Sequence, residues 1–381
     1  MKFIINTTNL QSGGALQVAL SLLEDWNIVQ FENEFHVFLS PQLNILLTRD
    51  NFGTNFTFYT FKKNPTNSIF DALSFYKKLR RLEKQITPDA VFTVFGPALW
   101  QSKAPHLVGF ANGFYLFDHS DYIRKKILTN LIRKIKYYIR HYFLFSQLKK
   151  EGDHYWVETD NARERLAATI DKPTNNISVI GNTYGSSFKN KAEHKGNTNN
   201  TFNLLYVSAY YEHKNFEIIP KVITILKEKN IACTFILTLP DDKYSALFGE
   251  LSNSEYLKNV GPTNPQEIIG IYQNADAIFM PSMLETFSAN YPEAMKMELP
   301  IICSDYDFSR NICGDAALFF DAQNPIEIAH KIIEFIENTE LQKQLIEAGK
   351  RRLQLLETPE SRAKKLLQLL NETAQMKNGN K

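Results

Sequence analysis

Two glutamates, Glu285 and Glu293, and one lysine, Lys214, are the side chains whose type and setting point most directly to chemistry. A carboxylate accepts hydrogen bonds from paired hydroxyls, and an ammonium group neutralises phosphate oxygens. Both glutamates lie in the run Asp276 to Met295, D-A-I-F-M-P-S-M-L-E-T-F-S-A-N-Y-P-E-A-M. Ala277-Ile278-Phe279-Met280 is the short apolar run of a buried parallel strand. Pro281-Ser282 ends it, because proline cannot donate to a sheet ladder. A polar loop follows, then a helix expected to start at a Ser288 or Asn290 cap with Pro292 in its first turn. Glu285 then falls in a loop at the carboxyl end of a strand and Glu293 one turn into the helix. Ligands of open α/β sheets bind at that end, where a helix start offers N–H groups to a phosphate. Taken alone, two glutamates at this spacing are an ordinary pair of solvated charges.

The elements that must hold these residues alternate between apolar runs and helical periodicity. Phe3-Ile4-Ile5 is followed by a Gly13-Gly14 loop and a helix over 15–26, whose Leu16, Ala19, Leu20 and Leu23 recur at helical spacing. Further strands are expected at 35–39, 56–61, 90–95, 106–110, 155–158 and 177–180, and helices at 69–85, 122–147 and 161–169. A second alternation runs through 202–207, 234–239, 277–280, 301–303 and 317–320. Strands alternating with helices indicate βαβ units and a parallel sheet. The chain of 381 residues is too long for one ordinary core. The polar segment 189–201 reads as a linker between a domain over 1–188 and a second over 202–358. A last helix over about 359–376 carries the apolar residues Leu366, Leu367, Leu369 and Leu370.

The order strand, Pro-Ser, Glu285, Thr286-Phe287-Ser288, Glu293-Ala294 resembles the E-x7-E pattern of retaining GT-B glycosyltransferases of family 4, with Thr286 and Ser288 in place of its usual glycines. The resemblance covers most of 200–340. It implies two Rossmann-like domains facing across a cleft, with the C-terminal helix crossing back to the first. The segment Val207 to Asn215 resembles the family's V-G-R-L-S-P-E-K-G, in which an arginine and a lysine grip the donor diphosphate. Lys214 matches the lysine, whereas Ala209 stands where the arginine is expected; His213 or the helix start after Asn215 is a candidate replacement charge. By the same resemblance Glu293 accepts the ribose hydroxyls, Glu285 contacts the donor sugar, and Phe287 and Ser288 turn backbone N–H groups to the phosphates, with Thr286 between. Gly13 and Gly14 face the cleft on the acceptor side, although as a simple turn they need no ligand, and they do not complete a dinucleotide-binding G-x-G-x-x-G. Where relatives often carry a histidine, this chain has Ala111-Asn112-Gly113, in which Asn112 either hydrogen-bonds a substrate or simply makes the turn with Gly113, and His119 further on reads as a surface residue. Asp305-Tyr306-Asp307 looks like a metal-binding D-x-D in the wrong architecture and reads as a loop, and Asp241-Asp242 as a solvated turn. No cofactor or metal is expected; the substrate implied is a UDP- or GDP-linked sugar, and the acceptor a sugar or lipid-linked hydroxyl in polysaccharide or glycolipid assembly. A non-catalytic nucleotide-sugar-binding or partner protein on the same scaffold is the alternative, and a nucleotide-sugar isomerase a third reading that would want ionisable residues on both cleft faces.

Apolar content of 44% and charged content of 22% are those of a globular protein. Three cysteines, Cys233, Cys303 and Cys313, show no metal spacing and suit a reducing cytoplasm. A net charge of +2 excludes general nucleic-acid binding. The charge is unevenly placed, because Arg124 to Lys150 holds nine Lys/Arg and no Asp or Glu. That segment is either a helix packed on its own sheet with a wet basic face, or a contact with an anionic membrane surface at the inner face of the membrane.

Overall fold

The computed structural model describes residues 1–29, 32–64, 69–118, 120, 122–189, 201–264 and 267–376. The chain forms two compact units, Met1–Asn182 with Thr358–Lys381, and Thr183–Glu357. The expected linker, 189–201, lies outside the described residues except at its ends. The units part earlier, after Asn182, because the next residues pack on the second unit. Phe188 sets its ring edge-on to Tyr272 at 5.1 Å, and the Lys296 ammonium lies 5.4 Å from the Tyr184 ring.

The first unit is built on seven parallel strands: β1 (Lys2–Asn6), β2 (Glu34–Leu39), β3 (Phe56–Thr60), β4 (Ala90–Thr93), β5 (His106–Gly109), β6 (His154–Val157) and β7 (Ile177–Val179). Their order is β3-β2-β1-β4-β5-β6-β7. The central strands β1, β4, β5 and β6 are buried at nearly every position, as in a sheet covered on both faces, whereas the edge strands β3 and β7 are partly exposed. Alternation sorts the side chains: Phe3 and Ile5 enter one core with Phe35, Val37 and Leu39, while Ile4 and Phe38 enter the other with Val91 and Trp100. The helix Gly14–Val29 buries Leu16, Ala19, Leu20 and Leu23 as its spacing predicts. The helix Pro359–Gln375 places all four of its predicted leucines in the same core. Full burial of each leucine contributes about 1.5–3 kcal/mol. Trp26 fixes the contact between these two helices by donating its indole N–H to the Ala363 carbonyl at 2.9 Å.

The second unit repeats the plan with six parallel strands: β8 (Phe202–Tyr206), β9 (Cys233–Leu237), β10 (Leu257–Asn259), β11 (Ala277–Met280), β12 (Ile301–Ser304) and β13 (Ala317–Phe320), ordered β10-β9-β8-β11-β12-β13. The edge strand β10 escapes sequence reading because it is three residues long with one of them buried. In both sheets the order reverses beside the first strand, at β1/β4 and β8/β11, which is where a ligand crevice opens.

Three local expectations are corrected. The helix expected over 122–147 is two elements, a π-helical turn Ile123–Ile127 and a helix Leu131–Glu151. Asn130 divides them by accepting the Arg133 N–H at 3.0 Å, an N-cap inside what reads as one period. Asp241 and Asp242 are no turn: they open the helix Asp241–Phe248, where acidic side chains complement the dipole. Asp307 likewise opens the helix Asp307–Cys313, and Asp305 accepts the Arg310 guanidinium at 2.6 Å.

Candidate functional site

The second unit brings Lys214 and Glu285 together from segments 71 residues apart. Lys214 ends the single turn Glu212–Lys214 after β8, and Glu285 stands in the loop after β11. β8 and β11 are neighbours in the sheet, so their carboxyl-end loops meet. Lys214 Nζ donates to Glu285 Oε1, and the two side chains are only 15% and 10% exposed. In so sheltered a position each charge needs the other.

The loops that carry the pair are fixed by polar groups with defined partners. The Met283 N–H donates to the His213 carbonyl at 2.8 Å. Buried Tyr206 donates its hydroxyl to the Lys214 carbonyl at 2.9 Å and lies 3.0 Å from Ser282 Oγ. Asn215 takes a left-handed conformation (φ 58°), which asparagine tolerates better than most residues. Its side-chain amide donates to the Pro281 carbonyl at 3.2 Å and the Ala322 carbonyl at 2.8 Å.

The helix that follows spans Asn290–Lys296. Neither expected cap serves it: Ala289 occupies the cap position without a side-chain hydrogen bond. Asn290 instead donates to the Val207 carbonyl at 2.7 Å, tying the helix start to the loop after β8. Pro292 is in the first turn as expected. Thr286 and Ser288 are buried, and Phe287 is partly exposed.

Glu293 is partly buried one turn in. Its Oε2 accepts the Tyr272 hydroxyl at 2.8 Å. Burial pushes the Glu293 carboxyl up to about 7, against hydrogen bonds from the Tyr272 hydroxyl and the Gly185 N–H that favour its ionised form. The folded value lies above the ordinary 4.5, so the folded state binds the proton more tightly. The stabilisation is therefore full below about pH 4.5 and is lost as pH rises through about 7. Unfolding titrations of the parent and Glu293→Gln are expected to diverge between about pH 5 and about pH 8, the parent losing more stability. Parallel pH profiles would remove this carboxyl as the cause.

Burial lowers the pKa of His213, with Glu285 pulling the other way and Lys214 reinforcing the fall. Ala209 is exposed and supplies no donor. Lys214 is thus the cation that the segment 207–215 brings to Glu285.

In the first unit, Gly13 adopts φ 71° and so requires glycine, whereas Gly14 begins the helix with open space at its Cβ position. The preceding loop is held by Asn6, which donates to Thr93 Oγ1 at 3.2 Å, and by Asn9, which donates to the Phe95 carbonyl at 2.6 Å. Asn112 is exposed after β5 and begins the short helix Gly113–Leu116, accepting the Leu116 N–H on its backbone carbonyl at 3.1 Å. His119 lies outside the described residues.

Residues 186–352 match the family described as glycosyl transferases group 1. Lys214, Glu285 and Glu293 all fall within the matched segment. Solved structures share the two-domain GT-B fold over nearly the whole chain. A glycosyltransferase from Rickettsia africae ESF-5 matches at 15% identity and a TM-score of 0.70, over 98% of this chain and 99% of that one. Sucrose-phosphate synthase from Thermosynechococcus elongatus matches at 13% identity and 0.71, over 98% of each. HepE from Anabaena, solved in complex with UDP and glucose, matches at 12% and 0.71, over 98% of this chain and all of that one (100%). At such identities the likeness is one of fold. No curated protein matches the chain.

Proposed function

We propose that the protein is a retaining glycosyltransferase that moves a sugar from a UDP- or GDP-linked donor to an acceptor hydroxyl. The observation that carries this reading is the sheltered Lys214–Glu285 pair at the crevice end of the second sheet, with Glu293 one turn into the helix that follows the Glu285 loop. A lone surface lysine or glutamate has no reason to be held between two strand-end loops; a site for a charged, hydroxyl-bearing ligand does. Lys214 exchanges Glu285 for a phosphate oxygen when the donor enters, and Glu285 is released to the hydroxyls of the transferred sugar. Glu293 takes the ribose hydroxyls, its carboxyl already oriented by Tyr272. Thr286, Phe287 and Ser288 line the diphosphate. As the glycosyl bond breaks, the negative charge that develops on the departing diphosphate is stabilised by Lys214 and fixed dipoles, with no metal in the scheme. Gly13, Gly14 and Asn112 serve the acceptor, which we take to be a sugar or lipid-linked hydroxyl in cell-surface polysaccharide or glycolipid assembly.

The reading is supported by the family match over 186–352 and by a fold shared with HepE, whose structure holds UDP and glucose. A second reading, a nucleotide-sugar-binding protein without catalysis, is favoured by exposed Ala209 and by a His213 whose charged form burial disfavours, in the segment where a second cation is expected. Incubation with radiolabelled UDP- and GDP-sugars separates the two, because only an enzyme releases the nucleotide. Lys214→Ala and Glu293→Ala are each expected to weaken nucleoside-diphosphate binding about tenfold or more, with the unfolding transition retained. Calorimetry with UDP and GDP is the measurement. Parental affinity in both variants would place the donor site elsewhere.

A further inference from the structure

We propose that the helix Leu131–Glu151 is a docking surface for an anionic lipid bilayer, into which its outer apolar face inserts. The helix buries Tyr137, Phe145 and Leu148 against its own unit. Tyr137 donates its hydroxyl to the Phe114 carbonyl at 3.0 Å, and Phe145 lies 5.3 Å from Phe110. This inward face accounts for how the helix is held, and a second apolar stripe lies on another face. Leu131, Ile132, Ile135, Tyr138, Ile139 and Tyr142 point outward instead, with Phe143 beside them, from 44% exposed at Tyr138 to 77% at Tyr142. At 3.6 residues per turn these side chains share an arc of ~140° and a length of ~18 Å. Lys136, Arg140 and Arg133 take the adjoining arc, between the stripe and the buried face.

Exposed apolar residues of this size, contiguous and rimmed by charge, mark an interaction surface. The surrounding charge selects the occupant. All nine Lys/Arg of 124–150 are exposed and the segment contains no carboxylate. Lys149 pairs with Asp171 at 3.0 Å at the far end of the helix. Docking a second copy through this face would bring two cationic rims together, which Coulomb repulsion opposes. A nucleic acid would meet the rim but leave the apolar stripe in water. A bilayer with anionic headgroups satisfies both: the aliphatic side chains enter the acyl boundary, Tyr138 and Tyr142 sit at headgroup level, and the cations meet phosphate. No helix among the described residues is long and apolar enough to cross a membrane, so the attachment lies in the plane of the surface.

The test is flotation of the full chain with vesicles of phosphatidylcholine alone or mixed with phosphatidylglycerol. The parent is expected to float with the anionic vesicles and not with the neutral ones. One variant carries Leu131→Ser, Ile135→Ser and Ile139→Ser, and leaves every charge in place. A second carries Lys125→Glu, Lys126→Glu, Arg133→Glu and Lys134→Glu, and leaves the stripe in place. Each lost cation is worth about fivefold in partitioning near such a surface, so the charge variant loses well over tenfold. The stripe variant loses tenfold or more through insertion alone. All substituted positions are exposed, so thermal unfolding midpoints stay at the parental value and report the fold. A stripe variant that floats as well as the parent overturns the proposal. So does a parent that stays unbound to anionic vesicles at low salt, or one that is a dimer which the serine substitutions dissolve.

Discussion

Arg362→Ala is expected to lower the stability of the first unit by about 3–5 kcal/mol, the cost of leaving a buried charge without its partner. Arg362 lies one turn into the C-terminal helix and is 1% exposed, and its partner Asp25 is 0% exposed. Its guanidinium donates to Asn182 Oδ1 at 2.7 Å, Ser21 Oγ at 2.8 Å and Asp25 Oδ2 at 3.1 Å. Burial works against the charge and Asp25 restores it. The substitution takes the guanidinium away from buried Asp25 and from the polar atoms of Asn182 and Ser21. Urea unfolding measures the loss, and a shift below about 1 kcal/mol would mean that water replaces the guanidinium. The paired change Arg362→Met with Asp25→Leu is expected to recover most of the stability, because replacing both members of a buried pair by apolar groups is often neutral.

Glu285→Gln is expected to reduce transfer turnover by about 10²–10³ while nucleoside-diphosphate affinity stays within severalfold of the parent. A contact with the transferred sugar acts at the reacting centre, whereas ribose and phosphate contacts act at a distance from it. The ion pair sharpens the expectation. A neutral amide no longer competes for Lys214, so the ammonium is more available to phosphate and binding does not fall with turnover. Turnover with a UDP- or GDP-sugar, set beside calorimetry with the nucleotide, separates the two effects. Parental turnover would take Glu285 out of the mechanism.

What was legible in the sequence follows from which forces are local. The strands over 277–280 and 317–320 carry the expected bounds; the first is buried at every position and so must be apolar throughout, whereas the second is a half-buried edge strand. The last helix was legible for a similar reason, since its leucines have no other place to go. Capping was less so: Ser288 and Asn290 are good cap residues, yet Asn290 found a better acceptor on Val207, 83 residues away. Arg362 was invisible as a core residue, because an arginine on a terminal helix looks solvated until Asp25 faces it. The stripe on 131–143 has the same periodicity whether it faces a core or a membrane. Only the packing of Tyr137, Phe145 and Leu148 on another face distinguishes the two.

The first unit is discontinuous in sequence, and this bears on how the chain is made. Its core includes Leu366, Leu367, Leu369 and Leu370, which a ribosome adds only after the whole of the second unit. The second unit is one unbroken span and has all of its strands as soon as residue 320 has emerged. Domains commonly fold in the order of synthesis, but here the earlier-made sheet must wait for a helix made after the later sheet is already complete. During that interval the apolar groove beside Trp26 stands open to chaperones and to neighbouring nascent chains. A premature stop before Thr358 would make that exposure permanent and mark the product for degradation, although every strand and every proposed site residue had already been synthesised.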